Sequence, residues 1–381
     1  MAEFIERLEL GPFATFIPNK YIPVYNWLYY KEGFSRNLVF RLIDELGLKK
    51  NDLVLDPFCG VGTTQLACKE KSLKSIGFDV SPVALLAAKV KLEAQDIEGL
   101  KAEARKFFKQ KFQKPEFRID LPVIKKAFSK YALEDIFFFK KKINEIPDEK
   151  TRDFFLLALI NASTKCSFAI KSGAMLRIDK RRKVPPVKIM LQRIIYRMIH
   201  DLENFKAEKV EAIALKGDAR KFDAVEDESI DAVITSPPYL NKIEYTNVYA
   251  IEQYLFFEGQ LFRPAVRSYI GEETKDIEDV FQGKIAFMPL IAKAYFKDMK
   301  LVLQEMFRVL KKGCFAAIIV GNGCFPEAVL QSDELLAGLA EEIGFKAKPI
   351  AVLNRRWCMK ERTQKVGLMR ESLLILEKPS Q

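Results

Sequence analysis

Asp52-Leu53-Val54-Leu55-Asp56-Pro57-Phe58-Cys59-Gly60-Val61-Gly62-Thr63-Thr64 is the stretch on which the fold of this chain turns. Its first five residues read as a short buried strand, and the glycines allow a tight turn out of which a helical stretch runs to Lys71. A strand, a Gly-containing turn and a helix place the turn at the carboxyl edge of an open α/β sheet, where such sheets bind ligands. The turn lacks the third glycine of the dinucleotide fingerprint, and no phosphate-loop lysine follows it.

Outward from this unit, Lys74 to Asp79 reads as a second strand. Ser81-Pro82 then opens a helix, with a capping hydroxyl and a proline at the first position, that runs to about Leu92. From about 97 to 209 the pattern changes to helical periodicities, Phe/Lys mixtures and a basic, Pro-containing loop. Strands resume at Val210 to Lys216, Ile230 to Thr235, Phe315 to Val320, Ala347 to Leu353 and Ser372 to Leu376. A long amphipathic helix from Ile285 to Leu310 precedes the third of these, with Lys312-Gly313 as its stop. Seven strands with intervening helices predict a doubly wound α/β sheet. The predicted division is 1–96 and 210–381 for the sheet-bearing body, with 97–209 a mostly helical basic insertion between strands two and three.

Composition narrows the function classes. With 49% hydrophobic residues among 381, the chain is too apolar for disorder and long enough for a sizeable core. No uncharged apolar run of about 18 residues predicts a membrane span, and the early acidic N-terminus does not read as a secretory signal. The lone histidine, His200, excludes multi-histidine metal sites and speaks against Ser-His-Asp chemistry; no metal is expected. The six cysteines, without a C-x-x-C pair, read as reduced, buried thiols of a cytoplasmic protein. Few Asn and Gln (11 and 12) beside abundant Lys and Glu lean towards a thermophilic source.

The net charge of +11 is unevenly spread. Residues 101–210 hold 27 Lys+Arg against 13 Asp+Glu, a balance of +14, and the remainder holds 35 against 38, a balance of −3. A near-neutral body with one basic module suits a polyanion-binding protein. The densest basic loop, Lys180-Arg181-Arg182-Lys183 with Lys171 and Arg177, is the candidate for phosphate contact.

Acids stand at consecutive strand ends. Asp79, 19 residues after Gly60, is placed to accept hydrogen bonds from sugar hydroxyls, and Asp218 to read an adenine amino group. At the end of the fourth strand, Thr235-Ser236-Pro237-Pro238-Tyr239 carries two prolines that remove backbone donors and stiffen the turn. Acceptors from Ser236 and the Pro237 carbonyl, with stacking by Tyr239, suit a planar group bearing an NH2.

These motifs resemble those of the S-adenosylmethionine-dependent amino-methyltransferases of nucleic-acid bases. Asp56-Pro57-Phe58-Cys59-Gly60-Val61-Gly62-Thr63 is similar to their cofactor motif, and Ser236-Pro237-Pro238-Tyr239 to their catalytic motif. The resemblance covers about 270 residues and implies a Rossmann-like seven-stranded methyltransferase sheet. It implies that the Asp56 motif, with Phe58, Cys59, Gly60, Gly62 and Thr63, holds the methionine part of the cofactor, Asp79 its ribose and Asp218 its adenine, with Thr235 also a cofactor-binding residue. Phe34-Ser35-Arg36-Asn37-Leu38-Val39 resembles the segment that closes over the methionine end. Tyr239-Leu240-Asn241, Glu244-Tyr245, Glu252-Gln253 and Arg370-Glu371-Ser372 resemble the family's extended pattern, with Asn241 and Tyr245 implied as substrate contacts. Unlike most relatives, which place target recognition after the third strand or beyond the core, this chain has its basic insertion between strands two and three.

Serine at the first catalytic position is typical of cytosine-N4 enzymes, whereas adenine-N6 enzymes usually carry Asp or Asn there. The implied activity is methyl transfer to the N4 amine of cytosine in DNA, with structured RNA such as ribosomal RNA the alternative substrate. Adenine-N6 methylation, protein-glutamine methylation (whose motif normally begins with Asn) and a non-catalytic nucleic-acid-binding protein rank behind. A duplex base would have to flip to reach the pocket.

Overall fold

The computed structural model describes residues 2–172, 175–240, 249–257, 270, 277–360 and 364–380. Alternation within single strands builds two apolar cores, one on each face of a central sheet. Leu55, Val233, Ala316 and Ile318 pack into one core, while their chain neighbours Val54, Ile234, Ala317 and Ile319 pack into the other. Strands buried on both faces are the expected consequence of parallel pairing covered by helices.

The described elements begin with β1 (Phe4–Glu6), α1 (Arg36–Glu45), β2 (Leu53–Asp56), α2 (Thr63–Glu70), β3 (Lys74–Asp79) and α3 (Pro82–Leu92). The chain continues with α4 (Ile97–Phe108), α5 (Pro122–Ala127), α6 (Lys130–Asn144), α7 (Glu149–Lys165), the hairpin β4 (Ala169–Ser172) and β5 (Met175–Ile178), and α8 (Val187–Asn204). Then follow β6 (Ala212–Lys216), β7 (Ile230–Thr235), α9 (Ala250–Phe256), α10 (Leu290–Val309) and β8 (Leu310–Gly321). The C-terminal part adds the small hairpin β9 (Gly323–Cys324) and β10 (Val329–Leu330), α11 (Ser332–Ile343), β11 (Lys346–Ala347), β12 (Ile350–Lys360) and β13 (Gln364–Glu377).

The sheet has the order β1-β12-β13-β8-β7-β2-β3-β6, with β11 paired to β13 as a ninth strand. Strands β6, β3, β2, β7 and β8 run parallel, and β13 is antiparallel to both β8 and β12. This is the Rossmann-like methyltransferase sheet, its seven principal strands extended by β1 and β11. The parallel direction brings the ends of β2, β3, β6, β7 and β8 to one edge.

Two expectations are corrected. The helix before β8 runs Leu290–Val309, starting after Pro289 and passing straight into a strand. Gly313, with φ of 75°, lies inside β8 near a register irregularity in its pairing with β7, so it serves an irregular strand and does not stop a helix. The cysteines are not all free: Cys324 and Cys358 form a disulfide with Cα atoms 5.6 Å apart. Spacing in the chain hid the pair, because only the fold brings β12 against the β9–β10 hairpin. Cys59, Cys68, Cys166 and Cys314 remain as thiols. Among the described residues no helix is long and apolar enough to cross a membrane.

Between β3 and β6, helices α4 to α8 share a single core with α3 of the body and with the N-terminal segment. Val83, Ala87 and Val90 of α3 belong to the same buried cluster as Leu100, Phe107, Phe139, Phe155 and Ile195. Trp27 is fully buried there; its indole N–H donates to Asp201 (2.9 Å) and its carbonyl accepts from Asn161 (2.6 Å). The Phe107 ring lies 5.1 Å from Phe155 and 5.6 Å from Phe139, centroid to centroid. We therefore expect Phe107→Ala to cost about 3–5 kcal/mol in urea unfolding. Tryptophan fluorescence and circular dichroism should still report one coincident transition; two separated transitions would contradict the shared core.

Candidate active site

The Asp56 carboxylate terminates β2 and is 2% exposed. One oxygen accepts from the Phe58 N–H (3.1 Å) and the Thr235 hydroxyl (2.6 Å), and the other from the Thr64 hydroxyl (2.6 Å). The group thus ties β2, α2 and β7 at a single point. Burial pushes its pKa up to about 6, against the pull of those three donors. Thr64 was not singled out from the sequence, because only the first turn of α2 brings its hydroxyl back to Asp56.

Asp79, at the end of β3, accepts from the Gly60 N–H (2.9 Å) and the Ser81 N–H (2.7 Å). It spans from its own strand to the loop after β2. Burial raises its pKa, and hydrogen bonds from the Ser81, Gly60 and Val80 N–H groups oppose the rise. Gly60 (φ 51°) and Gly62 (φ 77°) are both left-handed. A Cβ at Gly60 would meet the Tyr30 ring at 3.0 Å, and one at Gly62 would meet the Ala88 Cβ at 3.0 Å. The loop is pressed between α3 and an aromatic roof, so glycine is required twice over. Cys59 is buried with its thiol pKa pushed well up by desolvation, Phe58 is half-buried, and Thr63 starts α2 with 6% exposure. Lys91 of α3, also buried, donates to the Val61 carbonyl (3.1 Å), and burial brings its pKa down to about 7.

The roof was invisible in the sequence. Tyr30 stacks on Tyr249 (centroids 5.2 Å, 17°), whose hydroxyl donates to Glu32 (2.7 Å). Beside it, Ser35 begins α1; its N–H donates to Phe13, but its fully buried hydroxyl has no hydrogen-bond partner among the described residues. Asn19, buried, fixes this turn by donating to the Phe34 carbonyl (3.1 Å) and accepting from the Arg36 N–H (2.9 Å).

Ser236-Pro237-Pro238-Tyr239 leaves β7 directly after Thr235, at the same edge. The Ser236 side chain is partly exposed and its hydroxyl makes no hydrogen bond among the described residues. Tyr239 donates to Glu371 of β13 (2.8 Å), and its ring lies so close to Gly321, the end of β8, that a Cβ there would be 2.6 Å from Cδ2. Burial raises the Glu371 pKa, and the bond from Tyr239 and the charge of Arg356 lower it. The neighbours of Glu371 have their own network: Arg370 and Ser372 both donate to Asp333 (2.8 Å each). Glu252 and Gln253 are buried on α9, and Thr164 of α7 donates to Glu252 (3.1 Å). Asn241, Glu244 and Tyr245 lie outside the described residues.

Two groups of predicted residues are placed differently from the simplest expectation. Asp218, two residues past β6, is gripped by Arg220, whose Nε and Nη2 donate to its two oxygens (2.9 and 2.5 Å). Its carboxylate is already paired. In the basic loop, Arg182 donates to the Ser167 carbonyl (2.9 Å) and Arg181 pairs with Asp179 (3.3 Å), so both help shape the turn. Lys180 and Lys183 are exposed, as is Arg177 on β5; Lys171 is on β4, its side chain outside the description. No group of three potential ligands among the described residues could hold a metal ion.

A sheet of this order, with a glycine loop after its central strand and an acid at the end of the next, defines an S-adenosylmethionine-dependent methyltransferase. Residues 18–90 match the family model described as DNA methylase, of the N6/N4 type. Three type II methyltransferases are similar over most of the chain. That of Geobacillus stearothermophilus, M.BsoBI, is 26% identical over 96% of this chain and 88% of its own. M.AvaI of Nostoc is 27% identical over 89% and 83%, and M.MjaII of Methanocaldococcus jannaschii 24% over 73% and 72%. The chain is thus similar to N6/N4-type DNA methylases in residues 18–90 and to type II methyltransferases over most of its length, and S-adenosylmethionine is its cofactor.

The residues present fit that cofactor. The orphaned Ser35 hydroxyl and the remaining lone pairs of Asp79 are polar atoms in need of partners, beside a glycine backbone held open for close approach. Thr235→Val tests the buried tie that supports this arrangement. Removing one donor to the ionised Asp56 should cost about 1–3 kcal/mol. The Asp56 pKa stands above its unfolded value, so its native form holds the extra proton between about pH 4 and 6 and the ionised form carries the strain. The deficit of Thr235→Val should accordingly be small below pH 5 and fully developed by pH 7.5 in urea titrations; a pH-independent deficit would contradict the hydrogen-bond assignment.

Proposed function

We propose that the protein transfers a methyl group from S-adenosylmethionine to the exocyclic N4 amine of cytosine in DNA. The observation that carries this reading is the Ser236-Pro237-Pro238-Tyr239 turn, whose serine hydroxyl makes no hydrogen bond among the described residues and lies at the sheet edge that holds the glycine loop. The type II methyltransferase relatives favour DNA; methylation of structured RNA is an outcome of the same test.

The cofactor, when bound, supplies an electrophilic methyl on a sulfonium. The chain's own work is positional. The N4 lone pair is delocalised into the ring, so the amine needs acceptors that favour its pyramidal form and alignment with the methyl. The Ser236 hydroxyl and the Pro237 carbonyl are the acceptors we assign to it. The Tyr239 ring, held between Gly321 and Glu371, offers a stacking face to a base outside the helix. The nitrogen gains the methyl and loses a proton to water, so no strong base is required. Ser35, Phe58, Gly60, Thr63 and Asp79 are assigned to the cofactor's methionine and ribose parts, with Asp56, Cys59, Gly62 and Thr235 shaping their loop. Asp218 serves the adenine through whichever lone pairs Arg220 leaves.

Ser236→Ala should lower kcat by about 10²-fold while the affinity for S-adenosylmethionine, read by calorimetry, stays within about twofold. Mass spectrometry of nucleosides from DNA and RNA treated with the wild-type protein should find N4-methyldeoxycytidine. Methyl on adenine would overturn the base assignment, and methyl in RNA alone the DNA assignment.

A further inference from the structure

Strands β12 and β13 are far longer than the sheet requires. β13 pairs with β8 only from Glu371 to Glu377, and Glu371 already stands opposite Gly321, where β8 ends. The β12–β13 pairs from Arg355↔Arg370 to Lys360↔Gln364 therefore run past the carboxyl edge as a two-stranded arm. Its root touches the catalytic turn, because Glu371 holds the Tyr239 hydroxyl.

The two faces of the arm differ. On one, Cys358 (1% exposed) is bonded to Cys324, Met369 (5%) is buried, and Gly367 lies so close to Val329 that a Cβ would come within 2.9 Å. That face is covered by the β9–β10 hairpin. The other carries Trp357 (50% exposed) opposite Leu368 (41%). Exposed apolar surface of this kind, fixed on a rigid scaffold, marks an interaction site. Lys365 lies 4.6 Å over the Trp357 ring. Arg356, opposite Met369, belongs to the hairpin side of the arm, where it is exposed and its charge lowers the Glu371 pKa. The exposed Lys360 ends β12, and neither Arg356 nor Lys360 makes an ion pair among the described residues. Residues 354–369 hold five Lys+Arg and one acid, a formal +4.

We propose that this arm is a second nucleic-acid grip: Arg356, Lys360 and Lys365 contact the phosphodiester backbone, and Trp357 packs against an exposed sugar or base. Charge complementarity selects a polyanion over an apolar protein surface, since cations with no ion pair among the described residues would be costly to bury in the latter. Base–aromatic stacking gives Trp357 a use that leaves Lys365 free for a phosphate. The sheet order sets the arm at the β12 end and the basic insertion, which joins β3 to β6, at the other, with the turn after β7 between them. The inference rests on the proposed action on a nucleic acid.

The test uses the full chain and a duplex carrying a base that the wild-type protein methylates. The triple variant Arg356→Ala/Lys360→Ala/Lys365→Ala should raise the KM for DNA about tenfold or more. It should also flatten the dependence of log affinity on log salt by about 2–3, the slope expected for three lost phosphate contacts. Affinity for S-adenosylmethionine should not change, which shows that the variant is folded. Trp357→Ala should weaken binding without altering the salt slope. Unchanged KM and slope in the triple variant would overturn the arm, as would a dimer that Trp357→Asp dissociates in sedimentation while DNA binding persists. A wild-type protein that methylates no nucleic acid would instead overturn the functional reading itself.

Discussion

One buried carboxylate constrains the rest of the site. Asp56 sits where three elements meet, and each of its hydrogen bonds comes from a different one: the turn after β2, the first turn of α2 and the end of β7. A buried carboxylate that accepts fewer bonds than it needs is costly, so the geometry that satisfies it is selected strongly. Through Thr235 that geometry fixes the residue immediately before Ser236. Through Phe58 and Thr64 it fixes both ends of the glycine loop. The glycine loop and the turn after β7 are thus one mechanical unit, although 179 residues separate Asp56 from Thr235.

The same logic repeats one strand away. Asp79 accepts from Gly60, so its position is set by the loop it would share with a ligand. Tyr239 is fixed at both extremities, its ring on Gly321 and its hydroxyl on Glu371, which joins the turn after β7 to β8 and β13. Against this background of committed groups, the Ser35 and Ser236 hydroxyls stand out because they have no hydrogen-bond partner among the described residues. Leftover hydrogen-bonding capacity, more than the mere presence of polar residues, distinguishes atoms kept for a ligand from atoms that hold the scaffold.

Much of the fold was legible because strands and helix caps leave local marks. The seven principal strands were foreseen, and α3 begins at Pro82 with Ser81 accepting from the Ala84 N–H, as the Ser-Pro pair implied. What escaped is non-local. Gly313 reads as a helix stop in sequence and proves to be an irregularity inside β8; propensity cannot separate the two uses of a left-handed glycine. Cys324 and Cys358 pair only because β12 overshoots the sheet. Tyr30 and Tyr249 lie 219 residues apart, and no periodicity links them to Gly60. The three acids do stand at or just past strand ends, yet the partner of Asp218 was two residues away in plain view: an Arg at that spacing can fold back on the carboxylate, and here it does.

The charge of the chain also divides differently once the arm is recognised as a separate element. Outside residues 101–210 and 354–369, the chain holds 30 Lys+Arg against 37 Asp+Glu. The sheet-bearing body is therefore acidic, and the chain's excess of positive charge lies in two segments that the sheet order sets towards opposite ends of the strand row. An acidic body repels a polyanion wherever the basic segments do not hold it, so approach is favoured only in poses that engage them. With Ser236 and Tyr239 at the end of a strand between the two, charge supplies the coarse alignment and the stiff turn the fine one. The proposed reaction, which needs no strong base, would be well served by that division, since its barrier would be lowered chiefly by where the amine is held.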